Sequence, residues 1–389
     1  AMSPSIASAA IGPDANWPLW TALPVAPYSR RRTIRYEVAR GVYAFDQLIG
    51  IYYVHVPIRM TVVTVHQHDP NKRGLVVYAP VAPTKECLIL MQELIDQYGP
   101  VRDILLPSVA VEHKVNAGPF ARAYPGANFY VTDKQYAFPV NLPSSFLGFP
   151  PWTKILPRSS SEVPDMWGGE LEHEVLTVKP GIASMYQDVA LYHKSSETML
   201  ICDAVFAVTE EPPKILTEEE EYTRAVLFHA RDSKDEIVDD TPENRRKGWR
   251  RIVLLFDFFF PASGRGDLGP GPVIDALKTP NYKDGWGGWM PYTWGADEIK
   301  DFEVFSAGGK PLVFPIIQII LSRGPEEMRR WLKVVTSWNF KTVVPMHLDA
   351  PLAITPAEFE DAFLFLKSDY SKVRFCDEDV AFLRKAEEG

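Results

Sequence analysis

Residues 75–113 read LVVYAPVAPTKECLILMQELIDQYGPVRDILLPSVAVEH, and the hydrophobic period changes twice along the way. Leu75-Val-Val-Tyr78 is a short apolar run that stops at Ala79-Pro80, as a buried strand does before a turn. Thr84 then stands where a helix N-cap belongs. Behind it Cys87, Leu88, Leu90, Met91, Leu94 and Ile95 form one apolar stripe, with spacings that put them on a single helical face. Tyr98-Gly99-Pro100 ends that helix. Val101–Leu106 is again apolar, and Glu112 and His113 follow in the predicted loop beyond it. Strand, helix and strand in succession build an α/β sheet. The residues just past such strands are where open α/β sheets gather ligands.

Working outward, the segments 36–45 and 60–65 are rich in Val, Tyr and Thr and predict strands. A short helix is predicted over 119–123 and a strand over 128–131. Residues 137–169, rich in Pro, Ser and Trp, predict a long surface excursion. Three antiparallel strands are predicted at 171–178, 188–193 and 198–202, the last two joined by a tight turn at 194–197. The strongly charged 210–251 predicts one or two solvated helices, and the Gly/Pro/Trp-rich 261–309 a loop or lid. A helix over 325–338, a strand over 341–345, a loop with His347 and a helix over 356–365 complete the pattern. No period of 20–50 residues repeats. The expected organisation is one α/β domain with mixed sheets over 36–366, with insertions at about 137–170 and 210–310. An N-terminal extension (1–35) and a C-terminal tail (367–389) flank it.

The chain has 389 residues, 46% of them apolar and 23% charged, with a formal net charge of −9. Such a composition excludes general disorder, and the missing basic excess argues against nucleic acid as the main partner. The longest apolar runs, 252–262 and 311–321, contain Asp257, or Pro315 and Gln318, and fall short of the roughly 20 residues of a membrane span. Cys87, Cys202 and Cys376 lie far apart with no CxxC pair, which disfavours a disulfide framework or a thiolate zinc knuckle and fits a reducing compartment. Residues 1–10 are Ser/Ala-rich and lack the apolar core of a secretory signal; they read as a remnant joined to the stub of a transit peptide.

Chemistry concentrates where strands run out. Glu112 and His113 follow the strand at 101–106, Asp203 follows 198–202, and His347 comes two residues after 341–345. Two imidazoles and one or two carboxylates brought together would suit Zn²⁺, Fe²⁺ or Mn²⁺. Taken singly each has a plainer explanation, an Asp after a strand being commonly a turn or cap residue. His55, His66 and His68 sit in or beside the early strands, His173 and His193 fall on strands where an exposed face would account for them, and His229 lies in the charged stretch. The sequence holds no GxGxxG after a strand, no GxxxxGK[ST], no HExxH and no GxSxG, so nucleotide chemistry and a serine-hydrolase elbow are not supported.

The succession Gly41-Val42-Tyr43, Met60-Thr-Val-Val-Thr-Val65, Leu75–Ala79, helix, and Ile104-Leu-Leu-Pro107 resembles the first half of the metallo-β-lactamase fold. Within that superfamily it is similar to the branch called domain of unknown function 4336, found in cyanobacteria, algae and plants. LPSVAVEHKVNAGPFARAYP at 106–125, TMLICDAVF at 198–206 and VVPMH at 343–347 carry the branch's pattern. The resemblance runs from about Tyr36 to Phe365, with 210–309 largely outside it, and implies an αββα sandwich of two mixed sheets. Laid on this sequence, the superfamily's HxHxDH motif puts its first two histidines on Ser108 and Ala110 and its Asp-His pair on Glu112 and His113. The next histidine falls on Ile182, the bridging aspartate on Asp203 and the last histidine on His347. The three histidines of one metal site are thus replaced, while Glu112, His113, Asp203 and His347 keep the other, Glu112 being longer than Asp by one methylene.

The resemblance implies one divalent metal, Zn²⁺ foremost with Fe²⁺ or Mn²⁺ as alternatives, activating water against a small-molecule ester, thioester or phosphoester. Asp203 and Glu112 are the catalytic candidates, Glu112 as general base where it does not bind metal. Two rivals follow. One is an inactive member that binds a partner protein or ligand, motivated by the replaced site and by Trp286, Trp289, Tyr292 and Trp294, which form either a recognition surface or the buried underside of a lid. The other is a mononuclear non-haem iron enzyme. The family's distribution and the Ser/Ala-rich start imply a chloroplast, otherwise the cytoplasm.

Overall fold

Gly41, at φ 77°, turns the chain back on itself, so the stretch predicted as one strand forms two: β1 (Ile34–Ala39) and β2 (Val42–Ile51) pair antiparallel. The computed structural model describes residues 31–367 apart from 52, 67, 136–143, 182–183, 258–263, 268, 272–273 and 275–288, together with 381 and 385. Residues 1–30, Ile182, Trp286, Cys376 and nearly all of the tail therefore lie outside the described residues. β3 (Val54–Val65) and β4 (Gly74–Tyr78) continue the antiparallel order. β5 (Val101–Leu106), β6 (Asn128–Val131) and β7 (Thr153–Ile155) then add in parallel, giving a seven-stranded mixed sheet in chain order. β7 comes from the predicted surface excursion, which thus returns to the sheet as its edge.

Helix α1 (Lys85–Tyr98) begins as expected, the Thr84 hydroxyl accepting from the Cys87 amide, and stops at Gly99. The next helix departs from expectation. α2 spans Val111–Ala123 rather than 119–123, with Pro119 inside it. Proline is favoured at a helix's first position and disfavoured inside one, yet here the helix begins eight residues before Pro119, so Glu112 and His113 belong to the first helical turn and not to a loop.

The second sheet begins with the meander β8 (Leu171–Gly181), β9 (Ser184–His193) and β10 (Thr198–Ile201). The charged region forms α3 (Glu220–Ala230) and α4 (Pro242–Asp257), followed by the ribbon β11 (Gly264–Gly266) with β12 (Tyr292–Trp294), and α5 (Glu298–Ser306). These helices are solvated on one face only. Trp249, Ile252, Val253 and Leu254 of α4 are buried with Tyr53, Val54, Tyr222, Phe228 and Phe302, and Tyr292 joins them while Trp289 and Trp294 pack on the rim. α6 (Pro315–Leu321) and α7 (Pro325–Val335) lead to β13 (Thr342–Pro345), which lies parallel to β10, and α8 (Pro356–Asp361) follows. The second sheet has the order β13-β10-β9-β8.

Strand alternation sorts the cores. In β5, Leu105 points between the sheets toward Val189, Leu191, Leu200 and Val344, while Ile104 and Leu106 point outward to Met91 of α1 and Phe120 of α2. In β10, Leu200 faces inward, and Met199 and Ile201 meet Met328 and Trp331 of α7 and Phe359 of α8. Helices, sheet, sheet and helices follow one another, which is the αββα sandwich with two mixed sheets that the resemblance implied. His173 and His193 correct another expectation. Both are buried, His173 between Ser160 and the Pro157 carbonyl, His193 between Ser195 and Ser196. Among the described residues no helix is long and apolar enough to cross a membrane.

Candidate metal centre

Three chain segments meet at one end of the sandwich. α2 leaves β5 and brings Glu112 and His113; the chain leaving β10 brings Asp203; the chain leaving β13 brings His347. The four side chains offer ligand atoms that all lie within 4.8 Å of one another. His347 Nδ1 lies 2.9 Å from the Pro57 carbonyl oxygen. A carbonyl can only accept, so Nδ1 carries the proton and Nε2 presents its lone pair to the cluster. His113 Nε2 lies 3.1 Å from His347 Nε2, and each is 3.5 Å from Asp203 Oδ1. Ligand bonds of 2.0–2.1 Å in tetrahedral array separate the ligand atoms by about 3.3 Å. The three measured edges therefore outline one face of such an array. His113 Nδ1, buried, has no hydrogen-bond partner among the described residues. In the absence of an ion His113 Nε2–H would donate to His347; with an ion that nitrogen becomes a ligand and the proton moves to Nδ1.

The electrostatics favour one anion and one neutral ring. Burial opposes charge on Asp203, yet His113, then His347 and the Ser108 hydroxyl hold its carboxyl well below the usual carboxylate range. Burial, followed by the neighbouring His113, pushes His347 down to about 4. Burial works against the His113 cation, but Asp203 more than offsets it and raises that ring. Burial and Asp203 together push the half-buried Glu112 up. His347 and Asp203 are thereby in the forms that ligate a metal, and an entering ion would take the place of a proton on His113.

Ser108, one of the positions that the resemblance marks as replaced, has another partner. Ser108 donates a 2.6 Å hydrogen bond from Oγ to Asp203 Oδ2 and accepts from the Ala110 amide. Ala110 offers no ligand atom, and Ile182 is outside the described residues. Phe206 and Phe256 set their rings 6.1 Å from that of His347, closing its far side.

A family model described as domain of unknown function 4336 matches residues 40–365. The chain belongs to that family. The match runs through 210–309 as well, the stretch that the resemblance left largely outside. No curated protein matches the chain. Among solved structures it is similar to a metallo-β-lactamase from Pseudomonas aeruginosa in a mono-zinc form, at 11% identity and TM-score 0.32, over 43% of this chain and 67% of that one. It is also similar to the metal-soaked flavodiiron core of Flv1 from Synechocystis, at 9% identity and TM-score 0.40, over 86% and 61%. A putative diflavin flavoprotein fragment from Nostoc aligns at 8% identity and TM-score 0.40, over 92% and 98%.

Two contributors escaped the sequence reading. Asp188, in β9, accepts the amides of Cys202 (3.1 Å) at Oδ1 and of Asp203 (2.7 Å) and Ala204 (2.8 Å) at Oδ2, fixing the main chain that carries Asp203. Burial and Asp203 push its carboxyl up to about 7 against those three donors. Its signal was an acid among Tyr186, Ala190 and Tyr192 on the helix-facing side of its strand. The Pro57 carbonyl left no such signal, because a main-chain acceptor is not written in a side chain.

Proposed function

We propose that the protein is a divergent metal-dependent hydrolase that uses one divalent ion held by His113, His347 and Asp203, with Glu112 beside it. The observation that carries this reading is the triangle of Nε2, Nε2 and Oδ1 atoms with edges of 3.1, 3.5 and 3.5 Å. A bound divalent ion would supply Lewis acidity, lowering the pKa of a coordinated water and polarising an ester, thioester or phosphoester oxygen. Asp203 would contribute the negative charge, and the Pro57 carbonyl would keep the His347 lone pair directed inward. Glu112, the half-buried member, has a carboxyl pushed up by burial and by Asp203, which suits a group that takes a proton from attacking water. Zinc is the first choice, with iron or manganese as alternatives for the same donors. A chloroplast setting, implied by the family's distribution, belongs to this proposal.

One observation favours a second reading, a non-catalytic binding protein. The two imidazoles can satisfy each other at 3.1 Å without an ion. Turnover of activated esters, thioesters and phosphoesters by protein loaded with Zn²⁺, Fe²⁺ or Mn²⁺ separates the two. Hydrolysis that disappears in Glu112→Gln while metal stays bound supports the hydrolase; metal-loaded protein inert toward all three classes supports the binder.

A further inference from the structure

His347 is gripped from β3 by a second device. Arg59, buried in the middle of that strand, stands directly across from Asp46 of β2 and pairs with it at 2.7 Å. The ion pair leaves most of the guanidinium's donors free for other work. Nη1 donates to the Pro345 carbonyl at 2.6 Å and Nη2 to the Leu348 carbonyl at 3.0 Å, one on each side of His347. The Arg59 amide donates to Met346 O at 2.7 Å. The Tyr36 hydroxyl, which accepts from Nε at 3.1 Å and donates to Asp46 Oδ2 at 3.2 Å, steadies the fork together with Asp46, whose Oδ2 also accepts from Nη2 at 3.1 Å. Leu348 is a leucine at φ 54°, a left-handed conformation that L side chains avoid and that persists only where the surroundings enforce it. The carbonyl of that residue is one of the two that the Arg59 guanidinium holds. An ion pair that merely joined two strands would need Asp46 alone.

We propose that Arg59 is the positioning residue for His347, clamping residues 345–348 against β3 so that the ring sets Nδ1 on Pro57 and Nε2 toward Asp203. This rests on the metal reading above, but the clamp itself is present without an ion. Lysine keeps the charge beside Asp46 yet has one nitrogen in place of a planar fork, so it cannot span both carbonyls.

The test is Arg59→Lys, read in two ways. Zn²⁺ affinity by chelator competition should fall about 10- to 100-fold, as outer-sphere substitutions commonly cause. The metal-free ¹H–¹⁵N imidazole spectrum should lose the single Nδ1–H tautomer of His347. Binding within twofold of wild type together with an unchanged His347 tautomer would overturn the proposal. Should wild type take up none of Zn²⁺, Fe²⁺ and Mn²⁺, the hydrolase reading fails while the imidazole spectrum still decides the role of Arg59. Should Arg59→Lys not fold, Tyr36→Phe removes only the hydroxyl that steadies the fork. A shifted or broadened His347 Nδ1–H resonance in metal-free Tyr36→Phe supports the clamp, and an unmoved one overturns it.

Discussion

Replacing Asp188 with alanine removes the two oxygens that hold the main chain beneath Asp203. Three amide donors, those of Cys202, Asp203 and Ala204, lose partners at 3.1, 2.7 and 2.8 Å. All three residues are buried, so water does not readily replace the carboxylate. Each orphaned donor costs about 1–3 kcal/mol, which sums to about 3–9 kcal/mol. Typical domains have a total stability of about 5–15 kcal/mol. Relaxation of the chain places the expected loss near the lower end, about 3–5 kcal/mol. Asp188→Asn keeps one carbonyl oxygen and turns the other acceptor into a donor, so it should cost about 1–3 kcal/mol, the equivalent of one lost partner. Urea unfolding followed by far-ultraviolet circular dichroism, with midpoints compared at constant slope, measures both. An alanine variant that loses less than about 1 kcal/mol, or an asparagine variant as unstable as the alanine one, would refute the idea that Asp188 fixes this turn.

Ser108→Ala deletes the 2.6 Å bond to ionised Asp203 and should cost about 1.5–3 kcal/mol, the range for hydrogen bonds to charged groups; a melting temperature equal to wild type would contradict it. His193, pushed down to about 4 by burial, compares with about 6.5 in the unfolded chain. Between those values the unfolded state binds the proton and the folded state does not, so acid removes stability, about 1.5 kcal/mol from pH 6.5 to pH 5. His193→Gln should flatten the pH dependence by that amount, and an identical slope in the two proteins would show that the ring is not neutral when folded.

Much of the fold was legible because its signals were local. The stripe from Cys87 to Ile95 and the short runs at 75–78 and 101–106 each declared their own period. The α2 boundary was not, because Pro119 carries a strong helix-start signal that tertiary packing overrides; Ala117, Phe120 and Ala121 bury the helix against β5 regardless. The charged surface of α4 likewise concealed the buried face of Trp249, Ile252 and Val253. The four candidate ligands were legible one at a time, each as a polar residue just past a strand. Their support was not, because Asp188, Arg59 and the Pro57 carbonyl act on residues distant in sequence, and only the sheet register brings Arg59 opposite Asp46 and beside the chain at 345–348.

The central claim is that His113, His347 and Asp203 hold one ion. It is tested most directly by metal content per chain in protein purified without chelator or added metal, for wild type and for His113→Ala, His347→Ala, Asp203→Ala and Glu112→Gln. The account expects about one ion per wild-type chain, essentially none in either histidine variant, a reduced content in Asp203→Ala and wild-type content in Glu112→Gln, since imidazole is the firmest ligand here for a borderline ion. Folded His113→Ala and His347→Ala proteins that keep wild-type metal would contradict it.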